Sequence, residues 1–189
     1  MYRRLAPDLS GHSHLLVGQG TGGVALLRLL DALPPQADGL VLYARESRSG
    51  NDYSEALFQR GLANLRVFAT QAEAVAALDQ ALAGGVMGTR LYIAGSESFI
   101  GSAGQVAQVY NLNADEVQSE HCGTTARRVY CVHCQAANEN VTSNIVICVG
   151  CGRHLLVRDH YSRRLAAYMG VMADAESPGD LPPIVEVYA

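Results

Sequence analysis

The sequence predicts an α/β protein, with a doubly wound, mostly parallel five-stranded sheet followed by a small C-terminal zinc ribbon, a helix and an extended tail. Three observations predict it. Short apolar runs alternate with helix-like stretches from about residue 13 to residue 120, the pattern of a parallel sheet covered on both faces. A glycine-rich turn follows the first of those runs. All five cysteines then fall in residues 121–154, four of them as two Cys-x-x-Cys pairs.

In chain order, His14-Leu15-Leu16-Val17 reads as a buried strand and Val24 to Leu33 as the first helix, ended by Pro34-Pro35. Leu40-Val41-Leu42-Tyr43 is a second strand, and Asp52 to Arg60 a helix. Leu65-Arg66-Val67-Phe68 is a third strand. Thr70 and Glu73 form a capping box at the head of an alanine-rich helix, Gln71 to Ala83. Arg90 to Ala94 is a fourth strand, Phe99 to Tyr110 a helix, and Glu116-Val117-Gln118 a short fifth strand. The boundary falls near residue 120, giving domains 1–120 and 121–189. In the second, Val129 to Cys131 and Ile145 to Ile147 read as ribbon strands joined by a polar turn at Asn138-Glu139-Asn140, and Leu155-Leu156-Val157 as a strand. Leu165, Tyr168, Met169 and Met172 recur at helical spacing. The prolines of the last stretch keep it extended, and Ile184 to Tyr188 is apolar enough to be expected to pack.

The chain has 189 residues, 49% hydrophobic and 17% charged, which describes a globular protein with a core. Its formal net charge of -4 argues against nucleic acid as a partner. No apolar run approaches the roughly 20 residues that span a bilayer. Arg3 and Arg4 precede no apolar core of a secretory signal, so a cytoplasmic location is expected. There, paired cysteines point to metal ahead of disulfides.

Cys131, Cys134, Cys148 and Cys151 are two knuckles that can close a tetrahedron of thiolates. Structural zinc is the leading reading, with an iron–sulfur centre or redox dithiols as the alternatives. Four protein ligands leave no open position, so the metal would hold together a module with a small core. Gly152 suits the positive φ such a knuckle needs. His121, Cys122 and His133 are spare donors that read as ordinary neighbours, and His12, His14, His154 and His160 pair with no nucleophile.

Gly18-Gln19-Gly20-Thr21-Gly22-Gly23 joins the first strand to the first helix. Gly18, Gly20 and Gly22 would let the backbone approach a pyrophosphate at the helix N-terminus. Arg45 and Arg48, past the second strand, would stand near a ribose or its 2′-phosphate. A tight strand-to-helix turn recruits glycine in any case, so nucleotide binding and plain packing both stay open.

The segments Leu15 to Gly22, Val41 to Arg45 and Leu91 to Phe99 resemble the nicotinamide-binding half of ferredoxin reductases, most closely the vanillate-demethylase type. Val117 to Glu120 is similar to that family's closing strand, which ends in glutamate. Two departures stand out. The family's Cys-Gly-Pro is Ala94-Gly95-Ser96 here, and the Thr/Ser-Pro after its glycine turn is Val24-Ala25. No flavin-binding barrel precedes residue 13, and the knuckles stand where the family carries a ferredoxin domain.

The run from Cys148 to Val171 resembles the DmmA-like subunit of bacterial dimethylamine monooxygenase, and with the N-terminal part the resemblance spans nearly the whole chain. It implies a multisubunit NAD(P)H- and oxygen-dependent enzyme converting dimethylamine to methylamine and formaldehyde. Haem, flavin and an iron–sulfur cluster would reside on partner subunits. Either this chain is a structural or assembly subunit, with Arg153, Arg158, Arg163 and Arg164 facing an acidic partner, or its first domain supplies the NAD(P)H site to a flavin held elsewhere.

Overall fold

A computed structural model describes residues 2–34, 39–46 and 50–188, which form two compact units, Met1–Gly123 and Thr124–Ala189. Arg48 lies outside the described residues.

The first unit runs β1 (Ser13–Gln19), α1 (Gly22–Ala32), β2 (Gly39–Ala44), α2 (Ser54–Phe58), β3 (Leu65–Phe68), α3 (Gln71–Ala83), β4 (Thr89–Gly95), α4 (Glu97–Val109) and β5 (Val117–His121). Its five strands are all parallel, in the order β3-β2-β1-β4-β5. Side chains alternate through the sheet as period-2 geometry requires. Leu15, Val17, Leu42, Leu91 and Ile93 meet the buried stripes of α3 and α4. Leu16, Val41, Tyr43 and Tyr92 meet α1 and Leu57 of α2 on the other face. The α3 capping box forms as expected: Glu73 N–H donates to Thr70 Oγ1 (3.3 Å) and Thr70 N–H to the Glu73 carboxylate (3.0 Å).

An N-terminal strap completes the α1 face. Leu5 is buried there, its N–H donating to Glu120 Oε2 (2.7 Å), which also pairs with Arg28. Asp8 N–H donates to Tyr92 Oη (3.0 Å), and the Asp8 carboxylate takes Arg90 Nε (2.6 Å). The Ser10 hydroxyl and amide, with Arg90, hold the Asp8 carboxyl down to about 2. The closing glutamate is therefore engaged within the fold.

The second unit is a sheet of β6 (Arg127–Cys131), β7 (Ala137–Val141), β8 (Ile145–Ile147), β9 (His154–Ser162) and β10 (Ala167–Met172), ordered β7-β6-β10-β9-β8. β10 runs parallel to β6, and the other pairs are antiparallel. Three expectations are corrected here. The helix expected over Leu165 to Met172 is strand β10. Ser162 to Ala166 turns the chain, with Ala166 at φ 47°, and Gly170 is squeezed between neighbours. A Cβ at Gly170 would stand 2.7 Å from Val129 Cγ1 and 3.1 Å from Leu155 Cδ1. Pairing on both sides thus overrides a helical spacing whose centre holds a poor helix former. The polar turn expected at Asn138-Glu139-Asn140 lies within β7. Finally, β8 pairs with β9 and not with β6, so the two expected ribbon strands are not partners.

The tail runs extended, as expected, and is pinned along residues 142–144. Asn144 N–H donates to Val185 O (3.0 Å) and Val187 N–H to Thr142 O (2.8 Å). The Arg127 guanidinium lies between the Tyr168 and Tyr188 rings, 3.9 and 3.8 Å from their centroids, a cation–π latch on the tail. Tyr188 packs inward, while Ile184, Val185 and Val187 remain exposed.

Candidate metal centre

Local backbone geometry brings the two knuckles to one point. Each cysteine pair opens a turn closed by an amide donating back to the first cysteine: Gln135 N–H to Cys131 O and Gly152 N–H to Cys148 O, both 2.9 Å. The residue after each knuckle takes the left-handed conformation, Gly152 at φ 71° and Gln135 at φ 66°. Glycine does this without strain, whereas Gln135 is held there by its surroundings. Gly150 is required by proximity. A Cβ there would stand 2.9 Å from Cys134 Sγ and 2.8 Å from Ala136 Cβ.

The four sulfur atoms all lie within 4.8 Å of one another, with Cys131–Cys151 at 3.8 Å and Cys134–Cys148 at 3.5 Å. A disulfide needs about 2.05 Å, so these are thiols. A tetrahedral ion with metal–sulfur bonds of about 2.3 Å requires sulfur separations near 3.8 Å. The set fits one tetrahedral ion. Burial opposes the Cys148 thiolate, but the Cys151 and Gly150 amides and the neighbouring thiols outweigh it and pull the thiol down to about 6. Arg153, exposed at the head of the basic run read from sequence, also favours the Cys151 thiolate. That offsets part of the negative charge four thiolates bring.

Among the described residues, this is the one group of three or more potential ligands gathered together. His121 ends β5, Cys122 packs against the α1-side core with its thiol pushed up to about 11 by burial, and His133 is exposed on the first knuckle. Sequence reasoning missed Asn138. It is 1% exposed, and its Oδ1 accepts the Val149 N–H at 2.8 Å. Its signal was faint, a polar residue between two cysteine pairs.

The glycine-rich turn sits at the carboxyl end of β1. Gly20 takes φ 50° and its N–H donates to Ala44 O (2.9 Å). Gly18 faces Leu26, and Gly22 presses α1 onto the Ala94 carbonyl. Buried Tyr43 supports the turn, donating to Gly20 O (2.8 Å) and accepting from Tyr53 N–H (2.9 Å). Its hydroxyl is pushed up to about 12, chiefly by burial. Arg45 is exposed just past β2, its N–H bonded to Phe68 O. The sheet order changes direction between β1 and β4, and there Gln19 Oε1 accepts from Ser96 Oγ (2.8 Å) and Ser96 N–H (3.2 Å).

Comparison with known proteins follows the two units. Residues 1–117 match the family described as dimethylamine monooxygenase subunit DmmA-like, N-terminal domain, and residues 128–171 its C-terminal domain. A curated relative, the heme-dependent oxidative N-demethylase delta subunit of Ectopseudomonas mendocina (strain ymp), is 38% identical over 92 residues, 49% of this chain and 53% of that protein. The match thus spans about half of the relative's length. Among solved structures, an intact type IV self-sufficient cytochrome P450 monooxygenase is similar at TM-score 0.49 and 18% identity, covering 66% of this chain and 18% of that one. The ferredoxin-NADP+ reductase of Plasmodium falciparum follows at TM-score 0.41 and 15% identity, covering 59% and 54%. With both domain models matched in order along its two units, the chain belongs to the DmmA-like family of dimethylamine monooxygenase subunits.

Proposed function

We propose that this chain is a structural or assembly subunit of a multisubunit, NAD(P)H- and oxygen-dependent monooxygenase that demethylates dimethylamine to methylamine and formaldehyde in the cytoplasm. The observation that carries the non-catalytic role is the closed geometry of Cys131, Cys134, Cys148 and Cys151, four sulfurs within 4.8 Å of one another. A single zinc would fill this set and keep no position for substrate or water. The bound ion would supply folding energy to the second unit, whose buried clusters are small: Val129, Val141 and Val157, then Cys131, Cys148 and Leu155. Membership of the DmmA-like family supports the assembly, as does the name of the relative, itself a subunit of a heme-dependent N-demethylase. Haem, flavin and an iron–sulfur cluster would then lie on partner subunits. Exposed Arg158, Arg163 and Arg164 would meet an acidic partner surface.

Co-purification tests this reading. The tagged chain should draw down haem- and flavin-containing partners and carry about one zinc. Running as a lone monomer beside those partners rejects the assembly role, and stoichiometric iron with a visible charge-transfer spectrum rejects zinc.

One observation favours a second reading. The glycine turn opens α1 at the carboxyl end of β1, beside the point where the strand order reverses, which is where doubly wound sheets bind nucleotides. Gly18, Gly20, Gly22 and Arg45 would cradle NAD(P)H and pass its hydride to a flavin on a partner. NADPH titration decides it: absence of binding by both the isolated chain and the assembled complex discards the cradle.

A further inference from the structure

Asn138 is almost fully buried, at 1% exposure. Its carboxamide touches three groups on two elements, β6 and the second knuckle. Nδ2 donates to the Val129 carbonyl of β6 (3.1 Å) and lies 3.9 Å from Cys148 Sγ, while Oδ1 accepts the Val149 N–H (2.8 Å). Both ends of the group are thus used, and both reach the second knuckle from β7. We infer that Asn138 is a positioning residue of the metal centre, clamping the second knuckle to β6 and donating an N–H to the Cys148 sulfur.

The inference rests on the four-cysteine metal reading and goes beyond it. Four thiolates around a divalent ion carry a net charge of about −2, as the donor set of a closed four-cysteine site requires. An N–H aimed at a sulfur relieves the mutual repulsion without neutralising a ligand. A carboxamide is suited to this task. It supplies a donor to Cys148 and an acceptor to the Val149 amide, and it adds no charge. Aspartate would keep the acceptor, lose the donor and set a carboxylate against the thiolates.

The test uses the full chain beside Asn138→Ala, Asn138→Asp and Val157→Ala, a core variant outside the cysteine cluster. Zinc affinity is measured by competition with a chelator, and cobalt(II) loading gives the sulfur-to-metal charge-transfer band. Both Asn138 variants should bind zinc about 10–100-fold more weakly, with the band moved to longer wavelength because the unrelieved sulfur gives up electron density more readily. Val157→Ala should leave the band in place. A zinc-binding parent whose Asn138→Asp variant matches it in affinity and band overturns the inference, as does an equal band shift in Val157→Ala. A parent that takes up no metal overturns the metal reading and this one with it. A measurement on the unsubstituted chain needs no variant to fold. The Asn138 carboxamide protons and the Val149 amide should exchange slowly with zinc bound and quickly after chelation, and equal rates overturn the inference.

Discussion

Replacing Gly22 with alanine sets packing against conformational freedom at one atom. A Cβ at Gly22 would stand 2.1 Å from the Ala94 carbonyl oxygen and 2.5 Å from its carbon. Ordinary carbon–oxygen contacts begin near ~3.3 Å. The obstruction is backbone of a central strand, paired to β1 and β5, so it cannot swing aside. Instead α1 must withdraw by roughly 1 Å, loosening Ala25, Leu26 and Leu29 from the sheet. Overpacking of this kind costs about 1–3 kcal/mol, and alanine's better helix propensity returns at most about 1 kcal/mol. Gly104 in α4 is the control, since a Cβ there meets nothing within 4 Å. Alanine at Gly104 should stabilise by about 0.5–1 kcal/mol. In zinc-saturated urea unfolding followed by circular dichroism, Gly22→Ala should lower the midpoint and Gly104→Ala raise it. At about 4 °C per kcal/mol for a unit of this size, thermal midpoints should move in the same opposite directions by several degrees. A Gly22→Ala chain as stable as its parent would refute the close approach of α1 to β4.

Three other outcomes are expected. Burial holds His14 below its ordinary pKa of 6.5, so only the unfolded chain takes up that proton readily, and stability present above about pH 6.5 should decline as pH falls below it. His14 Nδ1 lies 3.2 Å from Tyr92 Oη, and urea midpoints from pH 7.5 to 5.5 should show the decline in the parent and not in a His14→Gln variant. Tyr43→Phe strips a partner from the Gly20 carbonyl and the Tyr53 N–H, which should cost about 1–3 kcal/mol in denaturant unfolding. Cys148→Ser, or exhaustive chelation, should abolish amide protection across β6 to β10 while β1 to β5 stay protected by hydrogen exchange; equal protection throughout would show that the second unit stands without metal.

Much of the first unit was legible because its signals are local and agree with one another. Apolar strand runs, the proline stop at Pro34 and the Thr70–Glu73 capping box each specify their own segment and all point to one topology. The cysteine knuckles were legible for the same reason, since four residues suffice to build each turn. Legibility failed where structure depends on distant partners. Leu165, Tyr168, Met169 and Met172 carry a helical spacing, and only β6 and β9 on either side make them a strand. Asn138 looked like a turn residue because its partners, Val129 and the second knuckle, are unknown until the sheet forms. The strap over Tyr92 and Glu120 has no periodicity to read, as its order comes from single hydrogen bonds to residues far along the chain.

The glycine turn can be accounted for without a ligand. Every glycine in it has a packing reason: positive φ at Gly20, Leu26 against Gly18, the Ala94 carbonyl against Gly22 and Tyr53 against Gly23. Those constraints hold whether or not a nucleotide ever binds. The helix ends beside the turn carry their own partners. Ser96 caps α4, and Gln19 Oε1 takes both the Ser96 amide and its hydroxyl, the donors a ligand oxygen would seek at that helix N-terminus. A nicotinamide or phosphate entering beside β4 has to displace this neutral side chain, at about 1 kcal/mol for each bond exchanged. At α1 the turn itself engages the Gly23 and Val24 amides, which donate to Gly20 O (3.0 Å) and Thr21 O (3.1 Å). A dinucleotide on this sheet would therefore meet engaged donors at both helix ends, and NADPH titration measures whether it can exchange them.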